Sequence, residues 1–203
     1  WAWFRTSAIA PDAASGRVVQ SWDTAAKPGA QNAYSACLTF LRIGKHHHLL
    51  DVYRGKLDYP DLRRKVIAHA EAWGAKDLLI EDAALGTALI QDLRRTPKAP
   101  QPIAIKPKGD KIDRMAAAAA TIENGSVFIP QLAPWLEAFR IELLQFPHGA
   151  FLDQVDALSQ YLNWTAKRPL ALGPSKPSLC GMIVCPTHSV EYYTDGTERW
   201  IND

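Results

Sequence analysis

Apolar and polar positions along the chain follow two rhythms, and the switches between them set out the order of elements. RVVQSWDTA (17–25) reads as a strand, in which Val18 and Val19 are followed by Trp22 and then a charge, leaving Asp23 near the strand end. A turn at Lys27-Pro28-Gly29 leads into YSACLTFLRI (34–43), Gly44-Lys45 turns the chain again, and HHLLDVYRG (47–55) completes a predicted antiparallel meander. Helical spacing takes over at Tyr59-Pro60-Asp61: Leu62, Val66, Ala70 and Trp73 share one face until Gly74 ends it. DLLIE (77–81) is short and continuously apolar, as expected of a buried central strand, and it ends in Glu81 and Asp82.

The alternation then continues. A helix over 84–95 is broken by TPKAPQ, PIAIK (102–106) is a strand, and the Ala-rich run from Lys111 to Glu123 is a helix stopped by Asn124-Gly125. SVFIP (126–130) is a short strand, Trp135, Leu136, Phe139 and Leu143 mark an amphipathic helix over 134–144, and LDQVDALSQYLNW (152–164) is the last helix. Beyond Pro169 the periodicity fails in a proline-bearing stretch. The expected organisation is an N-terminal junction segment over 1–16, a folded domain over 17–167 and a tail or linker over 168–203. Three antiparallel strands followed by alternating helices and strands predict an α/β fold, a mixed central sheet flanked by helices.

A chain of 203 residues that is 47% hydrophobic can bury one sizeable core. It carries no apolar run long enough to span a bilayer and no leader-like start, so no membrane association is expected. Cys37, Cys180 and Cys185 do not form a disulfide framework, which fits a reducing compartment. No phosphate-loop motif is present, so ATP hydrolysis by that device is not expected. The net charge of +2 means that a nucleic-acid role must come from distribution. Arg63-Arg64-Lys65 read as the solvated face of a helix, whereas Lys106, Lys108, Lys111 and Arg114 straddle Gly109-Asp110 and lead into a helix. That geometry can present cations along a phosphate backbone, with nothing to read base edges.

The placement of acids carries the chemistry. Asp23 ends the first strand, Glu81 ends a buried one, and Asp153 and Asp156 lie three apart on one face of the last helix. Burying unpaired carboxylates is costly, so acids projecting from a core sheet meet a cation, a basic side chain or a helix end. No basic residue is regularly spaced against them in sequence, and an oxygen-only donor set suits hard divalent cations. Two such ions can position a water and stabilise a leaving oxygen, which is phosphodiester hydrolysis. Each acid taken singly also has a plainer reading as a turn or cap residue. His46-His47-His48 alternate across a strand and do not read as a metal site, nor do the irregularly spaced Cys180, Cys185 and His188.

SWDTA (21–25), LLIEDAALG (78–86) and DQVDALS (153–159) resemble the acidic motifs of the nuclease domain of phage terminase large subunits. The segments LLDVYRGKLDYPDLRR (49–64) and IAIKPKGDKIDRMAAAAATIENGSVFIP (103–130) resemble that family's connecting text, so the likeness covers roughly 17–166. The resemblance implies a ribonuclease H-like fold and a two-metal endonuclease using Mg2+ or Mn2+. Asp23, Glu81 and Asp153 would be its metal ligands, Asp156 a fourth catalytic acid, and Lys106, Lys108, Lys111 and Arg114 its DNA contacts. Phe151-Leu152-Asp153 departs from a His-Asp-Asp run found in related sequences, which bears on the second metal position. The implied task is cutting concatemeric viral DNA during genome packaging in the host cytoplasm. Implied partners are double-stranded DNA, the ATPase domain of the same large subunit, the small terminase subunit and the portal. The lack of a motor motif suggests an excised C-terminal domain that begins at the junction. The competing expectations are a RuvC- or transposase-like nuclease and an inert DNA- or portal-docking module.

Overall fold

Side chains alternate across each strand, and in this chain both sets are apolar, so the sheet is buried on its two faces. In the computed structural model, which describes residues 1–8, 10–24, 34–168, 179–185, 188–193 and 198–202, seven strands and five helices build this unit. They run in the order β1 (Arg5–Ser7), β2 (Arg17–Asp23), β3 (Ser35–Ile43), β4 (His46–Gly55), α1 (Tyr59–Trp73), β5 (Asp77–Glu81), α2 (Ala84–Arg95), β6 (Pro102–Ile105), α3 (Lys111–Glu123), β7 (Val127–Pro130), α4 (Leu136–Gln145) and α5 (Asp153–Ala166). The sheet order is β1-β7-β4-β3-β2-β5-β6, and every neighbouring pair is parallel except those made by β3. The predicted meander followed by parallel strands is therefore present.

Val19, Leu38, Phe40 and Leu79 face α3, α4 and α5, where Ile122, Phe139, Leu158 and Tyr161 meet them. The alternate residues Trp22, Cys37, Leu78 and Ile80 face α1 and α2 through Leu62, Val66, Leu89 and Leu93. Helix starts follow local chemistry: Asp58 caps α1 by accepting from the Asp61 amide at 3.0 Å, and Asp110 caps α3 through the Asp113 amide at 2.8 Å. Gly74, at φ 59°, closes α1 in the left-handed conformation that glycine adopts without strain.

Both ends of the chain also carry strands. Within the 1–16 segment read as a junction, β1 pairs in parallel with β7 and extends the sheet edge. Within the 168–203 segment read as a tail or linker, β8 (Leu179–Cys185), β9 (His188–Tyr193) and β10 (Glu198–Asn202) form an antiparallel sheet of their own. These strands are rich in β-branched and aromatic residues, but the proline-bearing approach obscured them. No helix among the described residues is long and apolar enough to cross a membrane.

Candidate active site

Register places the first two acids. Trp22 pairs with Ile80 across the parallel strands β2 and β5, so Asp23 and Glu81 follow side by side at the carboxyl ends of both. Asp23 lies two residues beyond Ser21 and Glu81 two beyond Leu79, which turns both toward the face covered by α5. Gly86 makes the position of Glu81 attainable, because a Cβ there would come within 2.0 Å of the Glu81 carbonyl oxygen. The Asp82 amide donates to the Ile105 carbonyl at 2.8 Å and steadies the same turn.

Helix α5 brings the other two. It is pinned against β2 by three buried hydrogen bonds: Ser21 Oγ to the Ala157 carbonyl at 2.8 Å, and Gln160 Nε2 to Ser21 Oγ at 2.9 Å and to the Trp22 carbonyl at 3.2 Å. Its first turn carries Asp153 and Asp156. The buried carboxylate of Glu142, from α4, accepts the Gln154 amide at 2.6 Å and the Val155 amide at 3.3 Å, capping the positive end of α5 from outside the helix.

Three of the acids titrate above their usual range. Burial first, then Glu81, Asp156 and Asp153 in that order, hold the Asp23 carboxyl well above its usual range, while Arg114 opposes the shift. Burial also raises Glu81, against the pull of Arg114. Burial and the charge of Glu142 raise Asp153, against Arg54. Of the charges that raise Asp23, those of Glu81 and Asp156 act more strongly than that of Asp153. Such desolvated like charges favour a cation, and their oxygen donors suit a hard divalent one. Among the described residues no group of three or more His, Cys, Asp or Glu side chains is placed to hold a metal ion by itself. An open arrangement is the usual one for magnesium, which is held by one or two carboxylates and completed by water and substrate phosphate.

Although no basic residue is regularly spaced against these acids in sequence, the fold brings Arg114, Lys111 and Arg54 to them. Arg114 Nη2 donates to Asp156 Oδ1 at 2.9 Å, Lys111 Nζ stands 3.7 Å from Asp156 Oδ2, and Arg54 Nη2 stands 3.7 Å from Asp153 Oδ2. Two of the residues expected to meet DNA, Lys111 and Arg114, therefore point at Asp156. The other two, Lys106 and Lys108, are exposed on the rim of a cleft of about 670 Å3 that also holds Glu81, Asp156, Lys167 and Arg168. A second cleft, of about 410 Å3, opens over Asp153 beside Tyr34 and Phe151.

Sequence reading missed Arg54, Glu142, Gln160, Lys167 and Arg168. One signal was available for Glu142: it falls three residues after Phe139, a charge on the apolar stripe of its helix. The three histidines are core residues: His47 Nδ1 is 2.8 Å from the Tyr161 hydroxyl and His48 stacks on Phe128. The side chains of Cys180, Cys185 and His188 lie outside the described residues.

A mixed sheet with one reversed strand, acids at the carboxyl ends of adjacent parallel strands and an acid-bearing helix laid across them is a ribonuclease H-like arrangement. Residues 20–164 match the family model described as terminase RNaseH-like domain, and the chain belongs to that family. It is a terminase nuclease domain. Among solved structures, the cobalt-bound large terminase nuclease of thermophilic phage G20c shares 15% identity at a TM-score of 0.59, over 77% of this chain and 84% of that one. The large terminase nuclease domain of Thermus phage P74-26 shares 15% at 0.53, over 71% and 77%. The large terminase of another thermophilic bacteriophage, in complex with ADP, shares 12% at 0.59, over 78% of this chain but only 42% of that longer one. At these identities the likeness establishes the fold. The G20c nuclease is also known with zinc and with magnesium bound. No curated protein sequence matches the chain.

Proposed function

We propose that this domain is a divalent-metal-dependent DNA endonuclease that cuts concatemeric viral DNA during genome packaging. The observation that carries the reading is the placement of Asp23 and Glu81 at the carboxyl ends of adjacent parallel strands, with Asp153 and Asp156 on the first turn of α5, beside a cleft rimmed by lysine and arginine. Asp23, Glu81 and Asp153 would hold Mg2+ or Mn2+, as two ions, with Asp156 completing the set. When bound, the cations supply Lewis-acid polarisation of the phosphate and a more acidic water. The chain's own residues orient the reaction: Gln160 and Ser21 fix α5 over β2, Glu142 fixes its first turn, and Lys106 and Lys108 hold the phosphate backbone without regard to base sequence.

Arg114 and Lys111 can exchange Asp156 for DNA phosphates, so arrival of the substrate would free that carboxylate for a cation. The partners of this reading are double-stranded DNA, the ATPase domain of the large subunit, the small subunit and the portal, and its setting is the host cytoplasm. The experiment is plasmid cleavage with Mn2+, with and without chelator, by wild type and by Asp23→Asn, Glu81→Gln and Asp153→Asn. Nicking and linearisation by wild type alone are expected. One observation favours a second reading, an inert docking module: Asp153 and Asp156 already have arginine neighbours. DNA binding without any cleavage in Mn2+ would select it.

A further inference from the structure

Arg54 sits on the same rung of the sheet as Asp23. Asp23 pairs with Ala36 and Ala36 with Arg54, so all three side chains leave the same face, with the small Ala36 between the two charges on that rung. The guanidinium packs into the corner of two aromatic rings, 3.9 Å from the Tyr34 centroid and 4.7 Å from that of Phe151, which themselves meet edge to face at 5.1 Å. Its Nε lies 3.9 Å from Glu142 Oε2 and its Nη2 lies 3.7 Å from Asp153 Oδ2.

These separations are too long for hydrogen bonds. Arg54 Nε, Arg54 Nη2 and Asp153 Oδ2 are all buried and make none. A relaxed arginine–carboxylate pair would close to a bidentate contact and consume both carboxylate oxygens. Here the rings and Glu142 hold the charge back, so Asp153 is compensated while Oδ2 keeps its lone pairs. A buried pair left in this state is a poor stabilising device, which points to a use other than stability.

We propose that Arg54 is a positioning residue for Asp153, a counter-charge held just out of bonding range that keeps the carboxylate aimed and limits how tightly a divalent cation binds there. The inference rests on the metal-binding reading above. Because the guanidinium is fixed by the rings, it does not leave when the cation arrives, and its positive charge opposes that cation. Weak binding before substrate follows: the site fills when phosphate oxygens join the carboxylates.

The test is Mn2+ binding to the full chain without DNA, followed by the spin-resonance signal of free Mn2+, for wild type, Asp153→Asn, Arg54→Gln, Arg54→Lys and Phe151→Leu. Arg54→Gln is expected to bind at least about tenfold tighter, the scale of a unit charge roughly 6 Å from a divalent ion when screened as fully as in water. Arg54→Lys keeps the charge and should stay near wild type. Phe151→Leu, at an exposed ring, removes one wall of that corner and should fall between wild type and Arg54→Gln. Unchanged or weaker binding by Arg54→Gln, with wild-type circular dichroism, overturns the proposal. Should Arg54→Gln fail to fold, Phe151→Leu decides alone, and unchanged or weaker binding there overturns it. Failure of both wild type and folded Arg54→Gln to bind Mn2+ better than Asp153→Asn removes the metal-binding reading itself. Wild type that binds while Arg54→Gln matches it removes only the role of Arg54.

Discussion

Arg114 Nη2 donates to Asp156 Oδ1 at 2.9 Å, so the helix that presents basic residues is tied to the helix that presents the acids. Asn163 Nδ2 donates to the Arg114 carbonyl at 2.8 Å and holds the same two helices together without charge. Removing the acid therefore releases a cation without undoing the packing. Asp156→Asn should tighten binding of DNA in chelator severalfold while cleavage falls. Fluorescence anisotropy across a salt series reads this, and weaker binding by Asp156→Asn would mean that Arg114 does not reach phosphate.

Lys108 makes the complementary case, since it lies on the cleft rim without an acid against it among the described ion pairs. Lys108→Ala should weaken binding about equally for unrelated duplexes and reduce the slope of log affinity against log salt by about one. Sequence-dependent loss would indicate base contact, against expectation.

Glu142→Ala removes the acceptor for two α5 amides and leaves Arg54 less compensated. Loss of a buried charged acceptor of this kind costs about 3 kcal/mol. Urea denaturation should reveal a loss of that size, and Glu142→Gln, which keeps one acceptor oxygen, should lose less. Equal stability of Glu142→Ala and wild type would remove Glu142 as the cap of α5.

What the sequence made legible was whatever local spacing encodes. DLLIE ends in an acid because a short apolar strand has a defined end, and Asp153 and Asp156 share a face because helical spacing requires it. Arg54 and Glu142 meet Asp153 only through the fold: one lies near the end of β4, the other on α4, and no local period links them. Edge strand β1 was missed because three residues carry no period, and its pairing with β7 depends on register across the whole domain. Lys111 and Arg114 were recognised as a basic cluster, but which way they point is set by where α3 crosses α5.

Asp23→Asn should separate stability from activity in a pH-dependent way. The Asp23 carboxyl titrates well above its usual range in the folded protein, so the unfolded chain loses this proton first and the ionised group destabilises the fold at neutral pH. Asn removes that cost. The variant should melt a few degrees above wild type at pH 8 in chelator, with the gap shrinking as pH falls through the raised Asp23 value, and it should be inactive throughout. A lower melting temperature at pH 8 would mean that Asp23 is a structural acid.

The histidines predict the opposite trend on acidification. Burial lowers His48 from 6.5 to about 4 and His47 to about 3, so both stay neutral in the folded protein where the unfolded chain takes up protons. Their contribution to stability is complete above pH 6.5 and is lost as pH falls below it toward those depressed values. The carboxyls with raised values work against this loss, so total stability alone does not isolate the effect. His48→Phe does, because Phe can keep the stack on Phe128, whose centroid lies 4.7 Å from that of His48, and cannot protonate. Relative to wild type, the variant should gain up to about 1.4 kcal/mol for each pH unit below 6.5, the increment of one proton. Urea titrations of both proteins at steps from pH 7.5 to 4.5 measure that difference. A gap that stays constant over the range would mean that His48 is protonated equally in the two states, and that its burial in β4 does not exclude the charge.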